Sequence, residues 1–158
     1  MEKKNGPIRA LQILFLALLV GQLLFALLAF VLVKFGLFSG GLDAGTEKIF
    51  ETVYTVIALT AVLMAFTLFK RKLASLREII SVIEKFNEYR KVCITKYAML
   101  EGASLLSIIF FLVTVNYSFI IAGVILILVF MSQNPIRQRI KTELMVDDSD
   151  VDKMNQSE

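Results

Sequence analysis

The chain of 158 residues contains no histidine, only one cysteine and only two prolines. Without histidine it cannot build a haem site with histidine ligands or a Ser-His-Asp hydrolase. Because Cys93 stands alone, an internal disulfide, a redox pair of cysteines and a Cys/His metal cluster are also excluded. The sequence therefore predicts no catalytic residue, no cofactor and no metal site, and it favours a protein that is not an enzyme.

Charged residues are also scarce, and apolar residues predominate. Hydrophobic residues make up 57% of the chain and charged residues 20%, with a mean hydropathy of +0.73. A helix needs about 20 mostly apolar residues to span a bilayer. We therefore predict an all-α integral membrane protein with one membrane domain, residues 1–145, whose four spans form two helical hairpins. The predicted spans are 10–33, 49–69, 98–115 and 118–132.

The first apolar run, residues 10–33, is too long for the core of a secretory signal and ends without small residues at a cleavage site. It predicts an uncleaved span. Ala17 and Gly21 form a pair of small residues beside Gln22, so a neighbouring helix could approach closely and form a hydrogen bond. Gln22 is read as a packing residue or, alternatively, as part of a transport path.

Four glycines in residues 35–46 predict a loop between the first and second spans. In the second span, residues 49–69, the small residues Ala58, Ala61 and Ala65 lie on one helical face. This face is expected to pack closely against another helix.

The segment 70–97 contains eight basic and three acidic residues and no glycine or proline. Its apolar positions Leu73, Leu76 and Ile80 repeat at helical spacing, and we predict a cytoplasmic helical hairpin that turns near Asn87. The basic residues either set the topology alone or form a site for an anionic lipid or a protein. The candidate residues are Lys70, Arg71, Lys72, Arg77, Arg90, Lys91 and Lys96.

No charged residue lies between Glu101 and Arg137. One helix over that distance would be about 50 Å long, whereas the hydrocarbon core is about 30 Å thick. Asn116 is therefore expected at a tight turn, which makes it a candidate polar residue. A short amphipathic helix is predicted over 135–145, and the acidic segment 146–158 is predicted to be disordered.

Fifteen of the 17 lysines and arginines fall in the N-terminus, the central segment or the C-terminus, and only Lys34 and Lys48 fall in the first loop. Basic residues accumulate on the cytoplasmic side of membrane proteins. We therefore predict that both termini are cytoplasmic, and the short loops are typical of a bacterial inner membrane. The expected partners are the lipid bilayer, including anionic lipid, and another copy or a membrane protein, with no nucleic acid.

Glu101 is the one acidic residue expected to enter the membrane from the cytoplasmic side. Intramembrane carboxylates are costly and are often functional, which favours a proton-coupled carrier or channel. Glu101 also lies only five residues, about 7.5 Å of helix, beyond Lys96. It could therefore reach the interface and pair there with Lys96 or Lys72.

Three short motifs occur in the second half of the chain: Tyr89-Arg90, Ala-Met-Leu-Glu-Gly at 98–102 and Val-Thr-Val-Asn at 113–116. In these motifs the chain resembles small uncharacterised four-span bacterial membrane proteins that share Tyr-Arg, Ala-x-Leu-Glu-Gly and Leu-Thr-x-Asn. The resemblance implies the four-span topology and carries no activity.

Two functional hypotheses follow from these patterns. The first is a non-enzymatic accessory, scaffold or assembly protein of the inner membrane, acting through helix packing and its basic cytoplasmic hairpin. The second is a small proton-coupled carrier or channel that uses Glu101.

Overall fold

A computed structural model of the protein describes residues 6–38 and 42–151, and every regular element in these residues is a helix. The all-helical class is confirmed. The helices are α1 (Pro7–Lys34), α2 (Ala44–Leu76), α3 (Val82–Thr114), α4 (Tyr117–Met131) and α5 (Arg137–Leu144).

The loop between α1 and α2 is bounded by local signals that the sequence carries. Gly36 adopts a left-handed conformation, with φ of 69°, and its N–H donates to the carbonyl of Val33, which ends α1. Asp43 caps α2 by accepting hydrogen bonds from the backbone and the hydroxyl of Thr46, at 3.0 and 2.7 Å. The hydroxyl bond, followed by the backbone bond, holds the pKa of Asp43 below its usual value.

The break between α2 and α3 lies at residues 77–81, so the predicted turn near Asn87 is wrong. Asn87 is inside α3, where it is exposed. The true boundary is set by Ser81, whose hydroxyl accepts from the backbone N–H of Glu84 at 3.5 Å. Ser-Val-Ile-Glu at 81–84 has the spacing of a capping box, a sequence signal that outweighs the tendency of Asn87 to break a helix.

Helix α3 is the common partner of the other long helices, because it contacts α1, α2 and α4. Helix α1 also contacts α4, whereas the contact of α1 with α2 is not among the main ones. This arrangement does not confirm the two separate hairpins predicted from the sequence. The helix with the most polar positions, α3, instead lies where its side chains can meet all its neighbours.

One end of the molecule is a folded cap, formed by α2 beyond Lys70, α3 before Lys96, α5 and residues 146–151. Its core is built from apolar side chains of all four segments. They include Leu73, Leu76, Phe86, Tyr89, Ile140, Leu144 and Val151. The predicted stripe along α2 is thus covered at Leu73 and Leu76, whereas Ile80, in the turn after α2, is 96% exposed.

The acidic segment after α5 is partly ordered, which corrects the prediction of disorder from residue 146 onward. Val151 is fully buried against the cap. Lys141 lies 2.6 Å from a carboxylate oxygen of Asp148. Its hydrogen bond holds the pKa of Asp148 below the usual value. Residues 152–158 of the predicted tail lie outside the described residues.

The other end of the helix bundle is held by aromatic side chains. Tyr54 of α2 contacts Phe110 of α3 and Phe119 of α4 edge-on, with ring centroids 5.8 and 5.4 Å apart. Edge-to-face pairs of this kind add stability beyond the area that they bury. Ala29 and Val33 bring α1 into the same cluster, so all four long helices meet there.

Helices α1, α2 and α3 are each long and apolar enough to cross a membrane. Helix α4 is apolar but has only 15 residues, about 22 Å of helix. Three candidate spans therefore agree with the prediction of a membrane protein, and the fourth predicted span is the short helix α4.

The small-residue face predicted on α1 does not pack inside the molecule. Ala17 and Gly21 are exposed, and a Cβ placed at Gly21 would meet nothing within 4 Å. The side chain next to this face, Gln22, is the one that faces α3. The small-residue face of α2, in contrast, does pack inside the molecule, because Ala65 is buried and Ala61 packs against the aromatic cluster.

Candidate functional site

The largest group of interacting polar side chains lies where the cap meets the helix bundle, and we call it the basal network. Glu143 accepts from the hydroxyl of Tyr89 at 2.6 Å and from Nε of Arg139 at 2.8 Å. Arg139 also donates to Oε1 of Gln133 at 2.9 Å, and the hydroxyl of Tyr97 donates to the backbone carbonyl of Gln133 at 3.1 Å. These bonds tie α5 and the α4–α5 connection to α3.

Two more bonds extend the basal network to the remaining helices. Gln12 of α1 donates from Nε2 to the carbonyl of Pro135 at 3.1 Å, and Arg77 after α2 donates from Nε to the carbonyl of Glu143 at 3.2 Å. Every helix is thereby connected to the same polar layer. The buried members of this network, Tyr89, Lys96, Tyr97 and Gln133, help to fix the geometry of the fold because each is hydrogen-bonded within it.

Lys96 is the least compensated member of the basal network. The residue is only 3% exposed, and its ammonium lies 3.5 Å from the ring centroid of Phe69. It donates one hydrogen bond, to Oε1 of Gln133 at 3.3 Å. Among the described residues no carboxylate forms an ion pair with Lys96, so the expected pairing with Glu101 is wrong. Instead of extending along α3 toward Glu101, the side chain of Lys96 contacts Phe69 of α2 and Gln133 in the α4–α5 connection.

A cleft of about 490 Å³ opens between α2 and α3 beside Lys96. One end of the cleft is apolar and includes Ala65, Leu68 and Met99, whereas the other end combines polar side chains with Leu76, Ile79 and Val92. The polar lining residues are Lys72, Ser75, Glu88, Lys91, Thr95 and Lys96. Small-molecule sites have volumes of about 300–1,000 Å³ and combine apolar walls with a few polar groups, as this cleft does.

A second polar group lies within the helix bundle, between α1 and α3. Gln22 is fully buried, and its Oε1 accepts from the hydroxyl of Ser104 at 2.7 Å. The single O–H of Ser104 is shared with the backbone carbonyl of Glu101, whose oxygen lies 2.9 Å from the hydroxyl. In the described part of the chain, Nε2 of Gln22 has no partner, and the half-buried carboxylate of Glu101 forms no ion pair.

Asn116 lies at the opposite end of the bundle, where it begins α4. Its Oδ1 accepts from the backbone N–H of Ser118 at 2.8 Å, and its Nδ2 donates to Oε1 of Glu51 at 2.8 Å. The preceding Val115 has a positive φ of 58°, which is unusual for a β-branched residue and completes the tight reversal. Asn116 therefore acts as a cap and as a link between α2 and the α3–α4 turn.

The basic candidates do not form one surface. Lys70 and Arg71 are exposed on α2, Arg77 bonds to the carbonyl of Glu143, and Arg90 is half-buried on α3. Only three of the seven, Lys72, Lys91 and Lys96, line the cleft.

Six residues of the basal network were not predicted as site residues: Gln12, Tyr89, Tyr97, Gln133, Arg139 and Glu143. Arg139 and Glu143 carry a readable signal, because their spacing of four residues predicts an ion pair on one helix face. Gln133 lies only six residues before Arg139, but nothing in the sequence places Tyr89, 54 residues before Glu143, next to this pair.

Chemically, the arrangement offers two things: a polar network whose members mostly bond to one another, and a cleft with a cationic end and an apolar end. Comparison with protein-family models, with curated proteins and with solved structures finds no match to this chain.

Proposed function

We propose that the protein is a non-enzymatic membrane scaffold or assembly subunit with four spans, in which the apolar helix faces and the cytoplasmic cap form the working surfaces. The observation that carries the proposal is an apolar belt that separates two polar layers. The basal layer contains Gln12 and Lys96, and the distal layer contains Glu51 and Asn116.

The thickness of the belt supports a membrane position. Gln12 to Lys34 of α1 is about 33 Å of helix, Glu51 to Lys70 of α2 about 28 Å, and Lys96 to Asn116 along α3 about 30 Å. The hydrocarbon core of a bilayer is about 30 Å thick. In all three helices the distance between the polar residues at the two ends of the apolar stretch thus matches the thickness of one bilayer.

Side-chain exposure within the belt supports the same position. Large apolar residues are exposed on several helices, for example Leu24 at 61% on α1, Leu63 at 65% on α2 and Leu128 at 58% on α4. A continuous apolar surface of this kind is stable in lipid or against another membrane protein, and not in water. We propose that α4 also crosses, with local thinning of the bilayer to match its length.

The basic residues give the orientation, with the cap and both termini in the cytoplasm of a bacterial cell. The test is labelling with an impermeant maleimide in a Cys93→Ala background. Leu37→Cys, in the first loop, should react in intact cells, whereas Ile80→Cys, at the tip of the cap, should react only after permeabilisation. Reaction of Ile80→Cys in intact cells would overturn the orientation.

The scaffold function is supported by how the polar groups are used. In the basal network, Tyr89, Arg139 and Glu143 bond to one another within the cap, and Gln12 of α1 donates to the carbonyl of Pro135 at the base of the cap. The surface left for a partner is the apolar belt and the exposed Ile80. A photo-reactive amino acid at Ile80 should cross-link to one specific membrane protein in cells, and the same probe at Asn87, on the outside of α3, serves as the matched control. Equal yields at both positions would contradict a specific partner at the tip.

A proton-coupled carrier remains the second candidate because of Glu101. This carboxylate lies within the belt with no ion-pair partner among the described residues, next to the Gln22–Ser104 bond. Purified protein in liposomes separates the two functions. The scaffold predicts no proton flux above that of empty liposomes, whereas the carrier predicts a flux that Glu101→Gln abolishes while the protein stays folded.

A further inference from the structure

We propose that the cleft between α2 and α3 binds one anionic phospholipid, with the phosphate held by Lys72, Lys91 and Lys96 and the start of an acyl chain lying against Leu68 and Met99. The inference builds on the membrane position proposed above, which puts the mouth of the cleft at the level of lipid headgroups.

The charges around the cleft favour an anionic ligand. Three lysines and one glutamate line it, and the glutamate, Glu88, lies 2.5 Å from Nζ of Lys91. Lys72 and Lys96 have no carboxylate within ion-pair distance among the described residues. The cleft therefore has a net positive charge that its own carboxylate does not balance.

Lys96 makes the strongest argument for a ligand. Burying an ammonium group is costly unless the charge is paired and hydrogen-bonded. An ammonium has three N–H donors, and Lys96 uses one of them on Gln133, while the face of Phe69 supplies a weaker cation–π contact. A phosphate in the cleft would provide the missing negative charge and further acceptors.

The order of side chains along the cleft matches a lipid. On α2 the lining changes from Ala65 and Leu68 to Lys72, beyond which Ser75, Leu76 and Ile79 close the cleft, and on α3 it changes from Met99 to Lys96 and Lys91, with Thr95 and Val92 between the two lysines. The change takes about 10 Å along each helix. A phospholipid has the same order, since its acyl chains lie in the apolar belt and its phosphate lies at the level of the lysines.

The test measures lipids retained by the full-length protein in neutral detergent, by native mass spectrometry. The probes are dioleoyl phosphatidylglycerol and dioleoyl phosphatidylcholine, which have the same chains and differ in net charge. Wild-type protein should retain one phosphatidylglycerol at concentrations at which phosphatidylcholine is not retained. Glycerol phosphate in the same assay tests the headgroup without chains and should not bind.

A pair of charge variants locates the site. Lys72→Gln with Lys91→Gln removes two cleft lysines, and Lys70→Gln with Arg71→Gln removes the same charge from exposed positions outside the cleft. Loss of a basic residue near an anionic lipid weakens binding about five-fold, so the cleft pair should weaken it roughly 25-fold. The control pair should leave the affinity within about two-fold of wild type because its charges are screened by solvent.

A steric variant tests the apolar half without altering charge. Leu68→Trp should obstruct the cleft and abolish retention of phosphatidylglycerol, whereas Leu63→Trp, exposed on α2 outside the cleft, should not. Thermal melting in detergent confirms that each variant is folded.

Three results would overturn the inference: equal retention of the two lipids, equal weakening by the two charge pairs, or binding of glycerol phosphate as tight as that of the lipid. None of them bears on the scaffold function, which fails instead if the probes at Ile80 and Asn87 cross-link with equal yields or if the protein conducts protons.

Discussion

Ser104→Ala would leave the amide of Gln22 buried between α1 and α3 with neither end hydrogen-bonded. In the wild-type protein, Oε1 of Gln22 accepts from the hydroxyl of Ser104 at 2.7 Å, while its Nε2 has no partner among the described residues. Loss of one partner of a buried polar group costs about 1–3 kcal/mol. We expect Ser104→Ala to lower the free energy of unfolding by that amount.

Gln22→Leu should have a much smaller effect. Leucine removes both the unpartnered Nε2 and the acceptor Oε1, and the hydroxyl of Ser104 can then donate its one proton to the carbonyl of Glu101, 2.9 Å away. We therefore expect a change within about 1 kcal/mol, because replacing a polar group that leaves no orphan behind is close to neutral. The double variant should behave like Gln22→Leu alone.

The measurement is unfolding of the purified protein in mixed micelles by a denaturing detergent, followed by circular dichroism. Because the double variant should behave like Gln22→Leu alone, the coupling energy between the two positions should equal the cost of Ser104→Ala, about 1–3 kcal/mol. Ser75→Ala, on the exposed surface of the cap, is the control for losing a serine hydroxyl. Additive effects of the two variants, or a loss above about 2 kcal/mol for Gln22→Leu, would refute this account of the pair.

Three further variants test other parts of the fold. Tyr89→Phe removes a hydrogen bond to the carboxylate of Glu143 and should cost about 1.5–3 kcal/mol in the same unfolding assay, whereas Tyr117→Phe, exposed on α4, should cost nothing measurable. Ser81→Ala removes the N-cap of α3 and should lower stability by about 1 kcal/mol, with faster amide hydrogen exchange confined to the first turn of that helix. Gly21→Leu should leave the melting temperature of the monomer unchanged, since Gly21 is exposed and a Cβ placed there would meet nothing within 4 Å; a change in mass by light scattering would instead identify this face as a contact between copies.

Local sequence signals were sufficient for most helix boundaries. Gly36 and Asp43 mark the two ends of the first loop, and Asn116 marks the start of α4. The predicted turn near Asn87 is wrong although Ser81 and Glu84 encode the true boundary, because their capping spacing did not enter the prediction. Such signals act within one helical turn and can be read without knowing the neighbours of the helix.

Much less of the candidate site than of the helix boundaries could be predicted from the sequence. Glu101, Gln22 and Asn116 were recognised because polar groups within apolar runs stand out, but their partners were not. Gln22 meets Ser104 across 82 positions, and Asn116 meets Glu51 across 65. A helix that is apolar all around presents nearly the same surface on every side. Its sequence therefore does not reveal which face meets which neighbour.

By itself, the sequence determined the helical class, the apolar lengths and the basic segments, because these depend on composition and on spacing within single helices. Only the tertiary structure decided that α3 is the central helix, that Ala17 and Gly21 point outward, and that Lys96 lies under Phe69 instead of beside Glu101. The reason is that a charge near the end of a span can be satisfied by any polar group at the same depth. Which group is closest depends on how the helices are rotated and packed against one another.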